Sequence, residues 1–164
     1  MDLSTTDELE IVARLVLAAA VGGFVGLERE LRGYPAGIRT LALVAIGATL
    51  FTEISQLLGG NDRVAAQIVT GIGFIGAGLI FREGYTVRGI TTAATIWAVA
   101  AMGMAIGVQL YIVAIAGALL LFIVLEARPI TRRFESAIAP KGKGVRRALA
   151  PDDEDGDERI KDED

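Results

Sequence analysis

Between positions 89 and 125 the chain runs for thirty-seven residues without a charged side chain. As one helix that run would reach about 55 Å, nearly twice the roughly 30 Å hydrocarbon core of a bilayer. It must therefore turn once. Gly103, Gly107 and Gln109 are the turn candidates, and the reversal is expected at 107–109. Two membrane helices result, at 89–106 and 109–126. Three more apolar runs precede them: 9–27, broken only by Glu10 and Arg14; 38–58, which carries Glu53; and 64–81, which has no charge. Runs of about 18 or more apolar residues are membrane spans. The expected fold is all-α: a polytopic membrane protein, a compact bundle of about five transmembrane helices.

Composition narrows the chemistry. Hydrophobic residues make up 52% of the chain and stand in blocks. There is no cysteine and no histidine, which removes disulfides, thiolate and imidazole metal ligands and any Ser–His dyad. Serine occurs only at 4, 55 and 136, so an enzyme is not expected. The net charge is −4 and no dense basic face precedes the last span, so nucleic acid is not an expected partner. The acidic start of the chain lacks the basic region of a signal peptide, and the first run is expected to remain as a span.

Arginine placement sets an expected orientation. Arg29, Arg32 and Arg39 follow the first span, Arg82 and Arg88 follow the third, and Arg128, Arg132 and Arg133 follow the fifth. With five spans all three groups share one side. The other side has residues 1–8, a loop with only Arg63 and an uncharged turn. The expectation is an inner or plasma membrane protein with its N-terminus outside and its C-terminus in the cytoplasm. Residues 128–164 read as a basic-then-acidic cytoplasmic tail, largely disordered, whose basic part can rest on anionic lipid headgroups.

Gly71, Gly73 and Gly76 match the dinucleotide pattern G-x-G-x-x-G, but they sit inside an apolar run rather than between a strand and a helix. Close helix packing accounts for them better. Gly71, Gly73, Gly76 and Gly78 strip the third span of side chains, as Gly22 and Gly26 do the first. Packing within one subunit is the favoured reading; packing between copies in a homo-oligomer stays open. Trp97, the sole tryptophan, lies two turns into the fourth span and is expected to anchor packing.

Charges at membrane depth need partners or a wet cavity. Glu53 and Arg14 stand at compatible depths and can pair, either as a structural ion pair or as an ion-linked site. A denser set gathers at the other membrane edge. Glu28 and Arg29 end the first span, Arg39 and Thr40 open the second, Arg82 and Glu83 end the third, and Arg88, Thr91, Thr92 and Thr95 introduce the fourth. Arg39 and Arg88 oppose the helix dipole, so Glu28 and Glu83 are their expected partners. These ten residues form the candidate functional cluster. Glu53, Glu28 and Glu83 are the candidate metal ligands, and Mg²⁺, which takes one or two carboxylates and keeps waters, is the ion they suit as substrate or ligand. No cofactor is expected.

At this point the chain resembles the MgtC/SapB family of bacterial and archaeal inner-membrane proteins. The matching segments are GGFVGLERELRGYPAGIRTLALVAIGA at 22–48, RVAAQIVTGIGFIGAGLIFREG at 63–84 and VRGITTAATIWAVAAMGMAIG at 87–107. With the helices between them they cover 9–127, most of the chain. The resemblance implies a role in magnesium homeostasis and adaptation to low magnesium. It implies regulation through contacts with other membrane proteins, notably the F-type ATP synthase, with transport of Mg²⁺ or another cation as the alternative. It draws attention to Glu28, Arg39, Arg82, Glu83, Arg88, Thr91 and Thr92. Some members have Asn where Thr91 stands and Cys where Ala98 stands. Many carry an ACT-type domain after the last span; the tail here is too short for one, which implies the short form.

Overall fold

The computed structural model describes residues 4–60, 62–83 and 85–127. The tail expected at 128–164 and the Glu83 side chain lie outside the described residues. Five helices carry the fold: α1 (Thr5–Leu31), α2 (Ile38–Leu57), α3 (Asp62–Gly78), α4 (Ile90–Gly107) and α5 (Tyr111–Glu126). Among the described residues α1, α2 and α4 are long and apolar enough to cross a membrane, and α3 and α5 are shorter apolar helices. The chain is a multi-pass membrane protein.

Each boundary has a local cause. Ser4 caps α1 and accepts from the Asp7 amide while Asp7 bonds back, a capping box that satisfies orphan amides. The turn from α4 to α5 runs through Gln109, a non-glycine residue at φ 63°. The third helix ends at Gly78, earlier than the apolar run does. Its last turn tightens to bonds from Leu79 to Gly76 and from Ile80 to Ala77. The apolar residue Phe81, read as the end of the span, opens a strand instead. Strand β1 (Phe81–Glu83) pairs antiparallel with β2 (Thr86–Arg88), so the charged segment between the third and fourth helices is a short hairpin. Gly89 returns the chain to α4 at φ 90°, and a Cβ there would overlap the Leu79 carbonyl.

α2 is the central helix, packed between α1 and α4. Its core residues Leu41 and Ala45 are fully buried, as are Ala18 and Val25 of α1 and Ile96, Val99 and Ile106 of α4. Main chain approaches main chain here. A Cβ at Gly26 would lie 2.6 Å from Ile38 Cα, and one at Gly103 would lie 2.5 Å from the Ala45 carbonyl oxygen. Gly22 abuts the Leu41 carbonyl in the same way. The buried Thr49 hydroxyl donates to the Gly103 carbonyl at 2.7 Å and ties α2 to α4. Such an interhelical bond in a membrane contributes about 0.6 kcal/mol.

The α3 glycines behave differently from that packing. Only Gly76 meets a neighbour, with an added Cβ 3.4 Å from Ala93 Cβ. At Gly71, Gly73 and Gly78 an added Cβ meets nothing within 4 Å. The expectation that all four serve close packing within one subunit is corrected: three of them have no neighbour at Cβ distance, although Gly71 lines a crevice with Gly47, Ala48 and Phe51 of α2. Trp97 is corrected too, since it is 52% exposed on α4 rather than packed inside.

Gly26→Val forces side-chain carbon against α2 backbone, which cannot yield as a flexible side chain does. It is expected to cost about 1–3 kcal/mol, read as a lower unfolding midpoint in detergent. Gly73→Val, facing open space, is the matched control and should leave the midpoint near wild type. Equal midpoints for the two variants would contradict this account of α1–α2 packing.

Candidate functional site

Charged and polar side chains gather at the two ends of the bundle. At the end that holds the N-terminus, Arg14 is the hub. It donates through Nη1 to Glu53 Oε1 at 2.8 Å, through Nη2 to Glu10 Oε2 at 3.0 Å and through Nε to the Tyr111 hydroxyl at 3.0 Å. Helices α1, α2 and α5 are thereby joined. The Glu53 side chain is 6% exposed and that of Arg14 11%. A carboxylate this deep is tolerable only when it is paired, because the apolar surroundings replace none of its hydration. The Arg14–Glu53 pair expected from depth is present. Glu10 and Tyr111 join it without having been expected as partners, although Glu10 stands one turn from Arg14 at the i,i+4 spacing that favours such contacts.

The opposite end holds the cluster read from sequence, and the structure divides it into buried and surface members. Glu28, Arg29, Thr92 and Thr95 are buried; Arg39, Thr40, Arg82, Arg88 and Thr91 are exposed. Arg29 is 1% exposed. Its guanidinium donates to Thr92 Oγ1 at 2.9 Å and its Cζ lies 3.5 Å from the centroid of the Tyr34 ring. That is a cation–π contact away from water, where it counts most. The Thr95 hydroxyl donates to the Thr91 carbonyl within α4.

Glu28 does not pair with Arg39 as expected. Its Oε1 lies 2.8 Å from Arg32 Nε, one helical turn along α1, without hydrogen-bond alignment, and Oε2 meets no donor among the described residues. Arg32 in turn reaches Glu126 of α5 at 2.6 Å. That bond, ahead of the field of Glu28, holds the Arg32 guanidinium above its ordinary pKa. Glu30 plays a separate part. Its Oε2 accepts from the Ile38 amide at 2.9 Å and caps α2, whose N-cap Gly37 has no side chain to do so. Arg32, Glu126, Glu30 and Tyr34 are thus the members that sequence reasoning passed over. The i,i+4 spacing of Glu28 and Arg32 was the one local signal available.

Of the candidate metal ligands, Glu53 is held by Arg14, Glu28 contacts Arg32, and the Glu83 side chain lies outside the described residues. The described residues contain no group of three or more carboxylate, thiol or imidazole side chains placed to hold a metal ion.

With this geometry in view, comparison with known proteins is specific. The MgtC family is matched over residues 15–134. Protein MgtC of Brucella abortus (strain 2308) is 52% identical over 101 residues, which are 60% of this chain and 42% of the relative. YhiD of Escherichia coli (strain K12), whose name marks it as a candidate magnesium transporter, is 43% identical over 129 residues, covering 71% of this chain and 60% of that protein. Protein MgtC of Salmonella typhimurium (strain 14028s / SGSC 2262) is 48% identical over 98 residues, 58% of this chain and 42% of the relative. The chain spans about half the length of the curated relatives it matches. No solved structure matches.

Arg14→Leu leaves Glu53 charged and unpaired and is expected to cost about 3–5 kcal/mol. Arg14→Leu with Glu53→Leu removes both charges and should recover most of that loss. Unfolding in detergent measures both. A double variant no more stable than the single would refute the ion pair as the cause.

Proposed function

Given that the chain belongs to the MgtC family, we propose that it is a membrane protein of magnesium homeostasis that acts as a regulator, by contact with other membrane proteins, during adaptation to low magnesium. The observation that carries this reading is the outward face of α3. Ala66, Thr70, Gly73 and Ala77 follow one another at helical spacing and are all exposed. In a bilayer, lipid tails give helices no hydrophobic reason to associate. Small residues that admit a second backbone, and polar groups that bond across, are what drive contact. The F-type ATP synthase is the proposed partner. No enzymatic step belongs to this role.

The test is capture of the partner from native membranes through the tagged full chain. Wild type is expected to retain ATP synthase subunits. Gly73→Leu with Ala77→Leu should lose them while still inserting, because both residues are exposed on α3. Retention by an inserted double variant would end the proposal.

The alternative is transport of Mg²⁺ or another cation. The name carried by YhiD supports it, as does the presence of Glu53 at membrane depth. Its weakness is that Arg14 already takes that carboxylate, and permeating Mg²⁺ has to compete with a guanidinium at 2.8 Å. Purified protein in liposomes with a trapped magnesium indicator is expected to show no flux above empty vesicles. Saturable flux abolished by Glu53→Gln would establish the transporter instead.

We propose that the N-terminus lies outside and the C-terminus in the cytoplasm. The exposed Arg39, Arg82 and Arg88 at the bundle end opposite the N-terminus support this orientation. The chain has no native cysteine, so single substitutions report cleanly. Ser4→Cys should react with an impermeant maleimide in intact cells and Thr86→Cys should not; the reverse pattern would invert the topology.

A further inference from the structure

A crevice of about 280 Å³ opens between α1 and α5 at the bundle end away from the N-terminus. Its walls are Phe24, Leu27 and Leu31 of α1 and Phe122 of α5, with the two phenyl rings 5.1 Å apart. Its polar lining is Glu28, Arg32 and Glu126. Two carboxylates share one guanidinium, and the unmet demand is local: a cationic donor beside one carboxylate oxygen. The deficit falls on a specific atom. Glu28 has a side chain 4% exposed, it lines the crevice, and its Oε2 receives no hydrogen bond from the described residues. Buried carboxylate oxygens are ordinarily satisfied, so a donor is missing here. The Arg32 side chain is 33% exposed, and its contacts to Glu28 and Glu126 use Nε and Nη2.

The chemistry that completes this arrangement has three parts: an ammonium for Glu28 Oε2, an anion for the part-exposed Arg32 guanidinium, and an apolar chain for the phenyl and leucine walls. We propose that the crevice holds one aminophospholipid, with its primary ammonium on Glu28, its phosphate on Arg32 and an acyl chain against Phe24 and Phe122. A primary ammonium offers three N–H donors. A trimethylammonium offers none and cannot satisfy Glu28. A headgroup with only hydroxyls supplies a donor but sets no cation against the Glu28 carboxylate. Lipid is the source because Leu27 and Leu31, 46% and 79% exposed, continue the apolar wall out to the bilayer. A soluble amine leaves those walls unfilled.

The test is native mass spectrometry of the full-length chain released from detergent, with chain-matched phosphatidylethanolamine, phosphatidylcholine and phosphatidylglycerol supplied together. Wild type is expected to retain phosphatidylethanolamine about tenfold over either competitor, the effect of one charge-assisted hydrogen bond. Glu28→Gln should reduce that preference to near parity with unchanged helical circular dichroism. Glu126→Gln, at a 46% exposed side chain, is the second variant should the first misfold, and should lower the preference in the same direction. Equal retention of the three lipids by wild type overturns the proposal, as does an undiminished preference in a folded Glu28→Gln. Displacement of the lipid by free phosphoethanolamine at equal concentration overturns the lipid as the source. A lipid-free dimer that excludes phosphatidylethanolamine overturns it in favour of a second copy as the occupant.

Discussion

Backbone against backbone is the contact on which this bundle rests. α2 touches α1 through Gly22 and Gly26 and touches α4 through Gly103, at distances that no Cβ allows, and Gly107 of α4 gives the same room to the Thr52 side chain. In lipid the usual gain from burying apolar surface is absent, because the alternative environment is equally apolar. What remains is dispersion between closely matched surfaces and the few hydrogen bonds that helices can exchange. Glycine serves the first, and Thr49 to the Gly103 carbonyl serves the second. With α2 held this closely, Glu53 is set beside Arg14, and the loop after α1 is drawn in so that Glu30 reaches the Ile38 amide.

The charged groups obey the same constraint. Charge inside a bilayer is costly, so the buried ionisable groups sit toward the helix ends and against partners from other elements. Arg14 joins three helices at one end; Arg29, Arg32 and their partners join α1, α4 and α5 at the other. Both clusters act as clamps on the bundle. They differ in completeness. The Arg14 cluster has a partner for each named group, whereas Glu28 keeps one oxygen with no donor. An unfilled acceptor beside an apolar crevice is where a ligand can bind without first breaking a bond.

α3 and the hairpin stand apart from this closely packed core. α3 buries Gly76 and leaves most of its length exposed, and the hairpin presents Tyr85 fully to its surroundings. A helix fixed along one side, with small residues on the other, is a surface suited to another helix. This division, with α1, α2 and α4 as frame and α3 as contact face, is what links the fold to a role exercised through neighbours in the membrane.

Much of this was legible in one dimension. A charge-free run too long for one crossing counts its own helices, because bilayer thickness is a fixed ruler. Depth is read by the same ruler, so Arg14 and Glu53 could be matched across α1 and α2 without any structure. The sequence alone determined helix number, the membrane as solvent, and the placement of arginines at one end. It did not determine which side of a helix meets which neighbour. Gly71 and Gly76 read alike as letters, yet an added Cβ meets nothing at the first and meets Ala93 at the second. Glu28 contacts Arg32 at the i,i+4 spacing, which is local, but nothing local told that Arg32 is shared with Glu126 at the end of α5. Rotation about each helix axis and the choice among several nearby arginines are set by how all the helices pack together. That is a collective property of side-chain volumes and backbone approach, and no local pattern of residues encodes it, so only the tertiary structure could decide it.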